Sequence, residues 1–117
     1  MDMGNTHRLR EILKKLDDTF RRYNSPGKDH TALRAVQQLC IDLKGEDSYI
    51  SEKAGRIAKV AGVYYSSGYL RHPGGESALM SEMSFQLPNS IRSQISHLER
   101  LQSEASCFYL TTSSISS

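Results

Sequence analysis

With 117 residues, 38% of them hydrophobic and 24% charged, the chain has the composition of one soluble globular domain, long enough to bury a core without disulfide or metal staples. No run of about 18 apolar residues occurs and MDMGNTHRLR lacks the apolar centre of a secretory signal, so the sequence argues against a membrane-spanning or secreted chain and for a cytoplasmic one. A formal net charge of +2 does not by itself demand an anionic partner, and Cys40 and Cys107, without CxxC spacing, read as reduced core thiols.

The first periodic segment places Leu9, Ile12, Leu13, Leu16, Phe20 and Tyr23 at three- and four-residue steps, which predicts a helix over about residues 6–24. Its other side mixes Arg8, Arg10, Lys14, Lys15, Arg21 and Arg22 with Glu11 and Asp18, the pattern of a solvated face. SPGKD stops this helix, since Pro26 disfavours a helical Ser25 and Gly27 suits a turn, while Asp29 is placed to cap a second helix over about 29–44. Leu33, Val36, Leu39, Cys40 and Leu43 face inward there, and Gly45 is its natural stop.

Asp47 or Ser48 then caps a third helix over about 48–66, whose inner stripe reads Ile50, Ala54, Ile57, Ala58, Ala61, Tyr65 and Gly68. Small residues in that stripe admit a close neighbour. Residues 53–75 carry Lys53, Arg56, Lys59 and Arg71 and no acid, so the far side of this helix is expected to form an exposed basic strip. HPGG breaks the chain, and GESALMSEMSFQL is expected to restart as a short helix over about 76–87, with Leu79, Met80, Met83 and Leu87 on one side. Two glycines ahead of a helix can aim amides at an anion, but Glu76 would compete for them, so HPGGES reads as a turn.

Pro88 is expected to end that short helix. A last helix over about 89–107 follows, with Ile91, Ile95, Leu98, Leu101, Ala105 and Phe108 as a seam for the core or for a partner helix. TTSSISS shows no periodicity, which makes residues 1–110 one helical domain and 111–117 a flexible polar tail. The fold class is therefore all-α: a compact bundle of four main helices with a short extra one.

The chemistry-bearing residues are scattered. His7, His30, His72 and His97 form no HExxH or Cys/His cluster, and no GxxxxGK[ST] loop is present. No catalytic, metal or cofactor residue is assigned, and the expectation is a non-enzymatic protein. Tyrosine and arginine supply rigid contact area at interfaces. Lys53, Arg56, Lys59, Tyr64, Tyr65, Tyr69 and Arg71 thus make up a candidate surface for a protein partner or a second copy of the chain.

A second reading attaches to the same stretch. IAKVAGV, residues 57–63, resembles the first helix and turn of helix-turn-helix repressors of the TetR type. The resemblance implies that Ala61 sits at the helix crossing and that Gly62 takes a left-handed turn ahead of a recognition helix. Lys59 and Arg71 would then touch phosphates, Tyr64, Tyr65, Ser66, Ser67 and Tyr69 would stand at the DNA groove, and the last helix would form a dimer. Two departures stand against it. The family's count puts Gly68, with no side chain, at a buried branched position, and restoring Leu70 to that position instead requires Tyr64 and Tyr65 as two extra residues after the turn. The sequence leaves open whether the third helix breaks at Gly62 or continues to about Ser66.

Overall fold

The computed structural model of the chain describes the backbone of residues 3–45 and 47–116 and the side chains of residues 6–45 and 47–103. Helix α1, Met3–Arg22, buries Leu9, Ile12, Leu13, Leu16 and Phe20 along the expected stripe. Helix α2, His30–Leu43, begins where the Asp29 carboxylate accepts the Ala32 amide at 3.0 Å, and ends before Gly45, whose φ of 106° reverses the chain. Helix α3, Ser48–Tyr64, is capped in the same way by Asp47, which accepts the Ile50 amide at 3.0 Å. The second carboxylate oxygen of Asp47 accepts from Gln94 on the last helix at 3.1 Å, so one residue both starts α3 and ties it to a neighbour.

After α3 the chain makes a five-residue 3₁₀ turn, Ser67–Arg71, and then enters α4, Gly75–Ser81. Here the expectation that Pro88 ends a helix is overturned. Helix α4 passes through a π turn, Glu82–Gln86, directly into α5, Leu87–Ser116. In a regular helix Pro88 would lack its amide bond and its ring would press on the carbonyl four residues back. The wider π turn, where the Leu87 amide donates to the Glu82 carbonyl five residues earlier, relieves that crowding. It also serves the core. Leu79, Met83, Leu87, Ile91 and Ile95 recur at strict steps of four, which would drift by about 40° per step on a 3.6-residue helix. All five are nevertheless buried, because the π turn takes back part of that drift.

The helices share one hydrophobic core, and α1 packs on α2, α2 on α3, and α5 on both α1 and α3. Among the described residues the structure is all helical, and no helix is long and apolar enough to cross a membrane. The expected seam on α5 is used only in part: Ile91 and Ile95 are buried, Leu98 is half-buried and Leu101 is 47% exposed. Ala105, Cys107 and Phe108 lie outside the described side chains. The backbone of α5 runs to Ser116 rather than stopping near 107, since no Gly or Pro follows Pro88 to break it. The last polar stretch, expected as a tail, therefore lies in α5 up to residue 116.

Two ion pairs set the register of α1 against α5. The Arg10 guanidinium donates to both Glu99 oxygens, at 2.6 and 3.0 Å, and to Ser96 Oγ at 3.1 Å; Arg92 pairs with Asp17 and donates to Asn89 at 2.8 Å. Arg10 and Asp17 are two helical turns apart on α1, as Arg92 and Glu99 are on α5, so only the antiparallel alignment satisfies both pairs. The hydrogen bond from Arg10 holds the Glu99 carboxyl below its ordinary range and raises the guanidinium pKa in return.

Because both side chains of the Arg10–Glu99 pair are partly exposed, a double-mutant cycle with Arg10→Ala and Glu99→Ala should give a coupling of about 0.5–1 kcal/mol at neutral pH. With the folded pKa of Glu99 depressed, this contribution is full above the unfolded value of about 4.3 and is lost as pH falls through the lowered one. Urea unfolding of the four proteins across that range is the measurement.

Candidate functional site

Helix α3 does not break at Gly62. It continues to Tyr64, Gly62 has no left-handed φ, and the segment that would be a recognition helix is the 3₁₀ turn Ser67–Arg71. The geometry implied by the TetR-type resemblance is therefore not what this stretch adopts. Tyr64 and Tyr65 explain the continuation. They fall three and four residues after the buried Ala61, so a continuous helix carries both towards the core, where each is 2% exposed.

The two rings meet edge to face, with centroids 4.9 Å apart and planes at 87°. Tyr64 Oη donates to the Asn24 carbonyl at 3.0 Å and Tyr65 Oη to the Tyr23 carbonyl at 2.7 Å. The connector answers in kind: the Gly27 amide donates to the Tyr64 carbonyl at 2.9 Å and the Asp29 amide to the Tyr65 carbonyl at 3.3 Å. Four bonds thus clamp the end of α3 to residues 23–29, the link between α1 and α2. Burial raises the pKa of both phenols, so they stay protonated donors at any physiological pH.

This removes Tyr64 and Tyr65 from the expected docking surface. The other members of that set are dispersed. Lys53 rests over the Tyr49 ring at 5.1 Å, and Tyr69 is half-buried against the core. Arg56 is not unopposed, because Glu82 of the π turn reaches it at 2.8 Å across 26 residues of sequence. Lys59 on α3 and Arg71 in the 3₁₀ turn are exposed, and beside Arg71 stands Leu70 at 73% exposure.

Asp29 and Asp47 are spent on helix caps and Asp17, Glu82 and Glu99 on interhelical pairs. Among the described residues the exposed acids are Glu11, Asp18, Glu52 and Glu76, against twelve exposed Lys and Arg. Five acids thus serve as caps or interhelical partners. A surface with more exposed cations than acids raises the local concentration of acidic partners.

A concavity lies elsewhere, between the C-terminal end of α1 and the π turn. It is an open groove of about 630 Å³ lined by Phe20, Met80 and Phe85, with Arg21, Asn24 and the Asp17–Arg92 pair among its polar residues. A second hollow of about 400 Å³ shares Asn24 and Met80 with it and extends towards Tyr64 and Glu76. Phe85 is 64% exposed, since the buried run at steps of four passes through Met83 and Leu87 and turns Phe85 outward. Sequence reasoning missed this site. The available signal was a phenylalanine outside an otherwise regular apolar run, next to a proline that the helix has to accommodate.

No group of three His, Cys, Asp or Glu among the described residues is placed to hold a metal ion. Cys40 is buried, and desolvation pushes its thiol up to about 12. No family model, curated protein or solved structure matches this chain.

Two substitutions test this geometry. A Cβ at Gly62 meets nothing within 4 Å, so Gly62→Ala should raise stability by about 0.5–1 kcal/mol in denaturant unfolding; a left-handed turn there would make the same change destabilising. Tyr65→Phe, which leaves the Tyr23 carbonyl without its donor, should lower stability by about 1–2 kcal/mol in the same assay.

Proposed function

We propose that the chain is a non-enzymatic protein-interaction module that docks an acidic, partly apolar segment of a partner protein into the groove between α1 and the π turn. The observation that carries this reading is Phe85, an aromatic side chain 64% exposed in the lining of an open groove that also holds Phe20 and Met80. An exposed phenylalanine there carries an unfavourable hydration free energy that burial against a partner recovers, and a well-packed aromatic at the centre of a contact usually dominates binding. Arg21 in the same lining, held only loosely by Asp18 at 3.9 Å, is available to a carboxylate on the partner. The exposed cations Lys59 and Arg71 act at longer range, steering an acidic partner rather than forming the site.

A DNA-binding reading keeps one point in its favour, the exposed Lys59 and Arg71 on an acid-free stretch. It lacks a recognition helix to enter the groove of the duplex. Binding of this kind would rest on phosphate contacts and fall steeply with salt.

Selection of a random peptide library on the immobilised chain should enrich peptides that combine Leu, Met or an aromatic with Asp or Glu. Their affinity should drop about tenfold or more on Phe85→Ala, without loss of stability. Peptides indifferent to Phe85, or salt-sensitive duplex DNA binding with no peptide enrichment, would overturn the reading.

A further inference from the structure

The connector that the tyrosine clamp holds contains the run Arg22-Tyr23-Asn24-Ser25-Pro26-Gly27-Lys28. Ser25 is exposed, and so are Arg21, Arg22 and Lys28 around it. The backbone from 23 to 29 is not helical, and it is fixed on either side of Ser25, at the carbonyls of Tyr23 and Asn24 and at the amide of Gly27. We propose that Ser25 is a phosphorylation site for a proline-directed serine/threonine protein kinase, and that its phosphate regulates the α1–π-turn groove.

A kinase of this class reads the residue after the serine by an apolar pocket with no acceptor, which suits Pro26 because proline has no amide proton to leave unsatisfied. Acidic kinase residues then read a cation three positions on, here Lys28. In the transfer, Ser25 Oγ forms a bond to the γ-phosphorus of ATP while the bond from that phosphorus to the β,γ-bridging oxygen breaks. ADP leaves, and the hydroxyl proton passes to the catalytic carboxylate of the kinase.

The consequence for the groove, which rests on the docking reading above, follows from position. Asn24, adjacent to Ser25, lines both parts of the groove, and Arg21 lines the larger one. A phosphoserine brings about −1.5 to −2 charges to that end and offers three acceptor oxygens to Arg21, Arg22 and Lys28. It takes the cation that an acidic segment would use and repels the segment's carboxylates. Phosphorylation therefore closes the groove to its partner electrostatically.

The folded full-length chain, incubated with ATP and a proline-directed kinase, is read by mass spectrometry. The expected result is one phosphate on Ser25, none on Ser25→Ala, and a rate about tenfold lower on Lys28→Ala. A native chain that takes no phosphate at Ser25, or a rate indifferent to Lys28, overturns the site. Acidic peptides selected on the unmodified chain should then bind the phosphorylated chain about tenfold or more weakly. Equal binding overturns the regulatory link while leaving the modification intact. If no peptide binds the unmodified chain, the docking reading fails on its own account and the Ser25 result stands separately.

Discussion

The end of α3 and the link between α1 and α2 are held by the same four hydrogen bonds, and the arrangement of the bundle depends on them. Tyr64 and Tyr65 bring two large rings into the core and spend their hydroxyls on the carbonyls of Asn24 and Tyr23, groups that a tight connector would otherwise have to leave to water. The Gly27 and Asp29 amides return the bonds to the tyrosines' own carbonyls, so the end of α3 is satisfied jointly by the connector and by the Ser66 hydroxyl, which donates to the Val63 carbonyl at 2.9 Å. Asp29 also caps α2, which places the start of one helix and the end of another in a single network. With that junction set, the angle at which α1 returns into α2, and hence the face α1 offers to α5, is no longer free.

On that face the charges have a structural role. The Arg10–Glu99 and Asp17–Arg92 pairs fix the alignment of α1 with α5, and this alignment brings Phe20 of α1 opposite Met80 and Phe85 near the π turn. Acids are also used in caps and pairs, and among the described residues exposed cations outnumber exposed acids. The groove, its arginines and the charge around it follow from the way the helices are held together.

Much of the fold was legible in the residues. The apolar stripes of α1 and α2, the Asp29 and Asp47 caps and the stop at Gly45 were readable because each is decided by neighbours within a turn or two. What escaped depends on distant partners. The basic strip looked unopposed because Glu82, which pairs with Arg56, lies 26 residues away. Tyr64 looked like surface, and Tyr65, though on the expected inner stripe, was also counted in the docking surface, because nothing local reveals that the carbonyls of residues 23 and 24 will accept from their hydroxyls. Pro88 looked like a terminator because the rule is stated for α-helices, and the π turn that evades it is betrayed only by the unusual run of apolar residues at steps of four. Of the expected site, Lys59 and Arg71 stay exposed, whereas the tyrosine pair became core and the groove at Phe85 took its place.

The account stands or falls on the clamp, and amide hydrogen exchange reads it directly. If the connector is bonded to α3 as described, the Gly27 amide, in a loop with no secondary structure of its own, should exchange as slowly as the Tyr65 amide, which is bonded within α3 to the Ala61 carbonyl at 2.9 Å. Exchange of Gly27 at the rate of an open loop, with the core of α3 still protected, would show that the tyrosines do not hold the connector and would contradict the account.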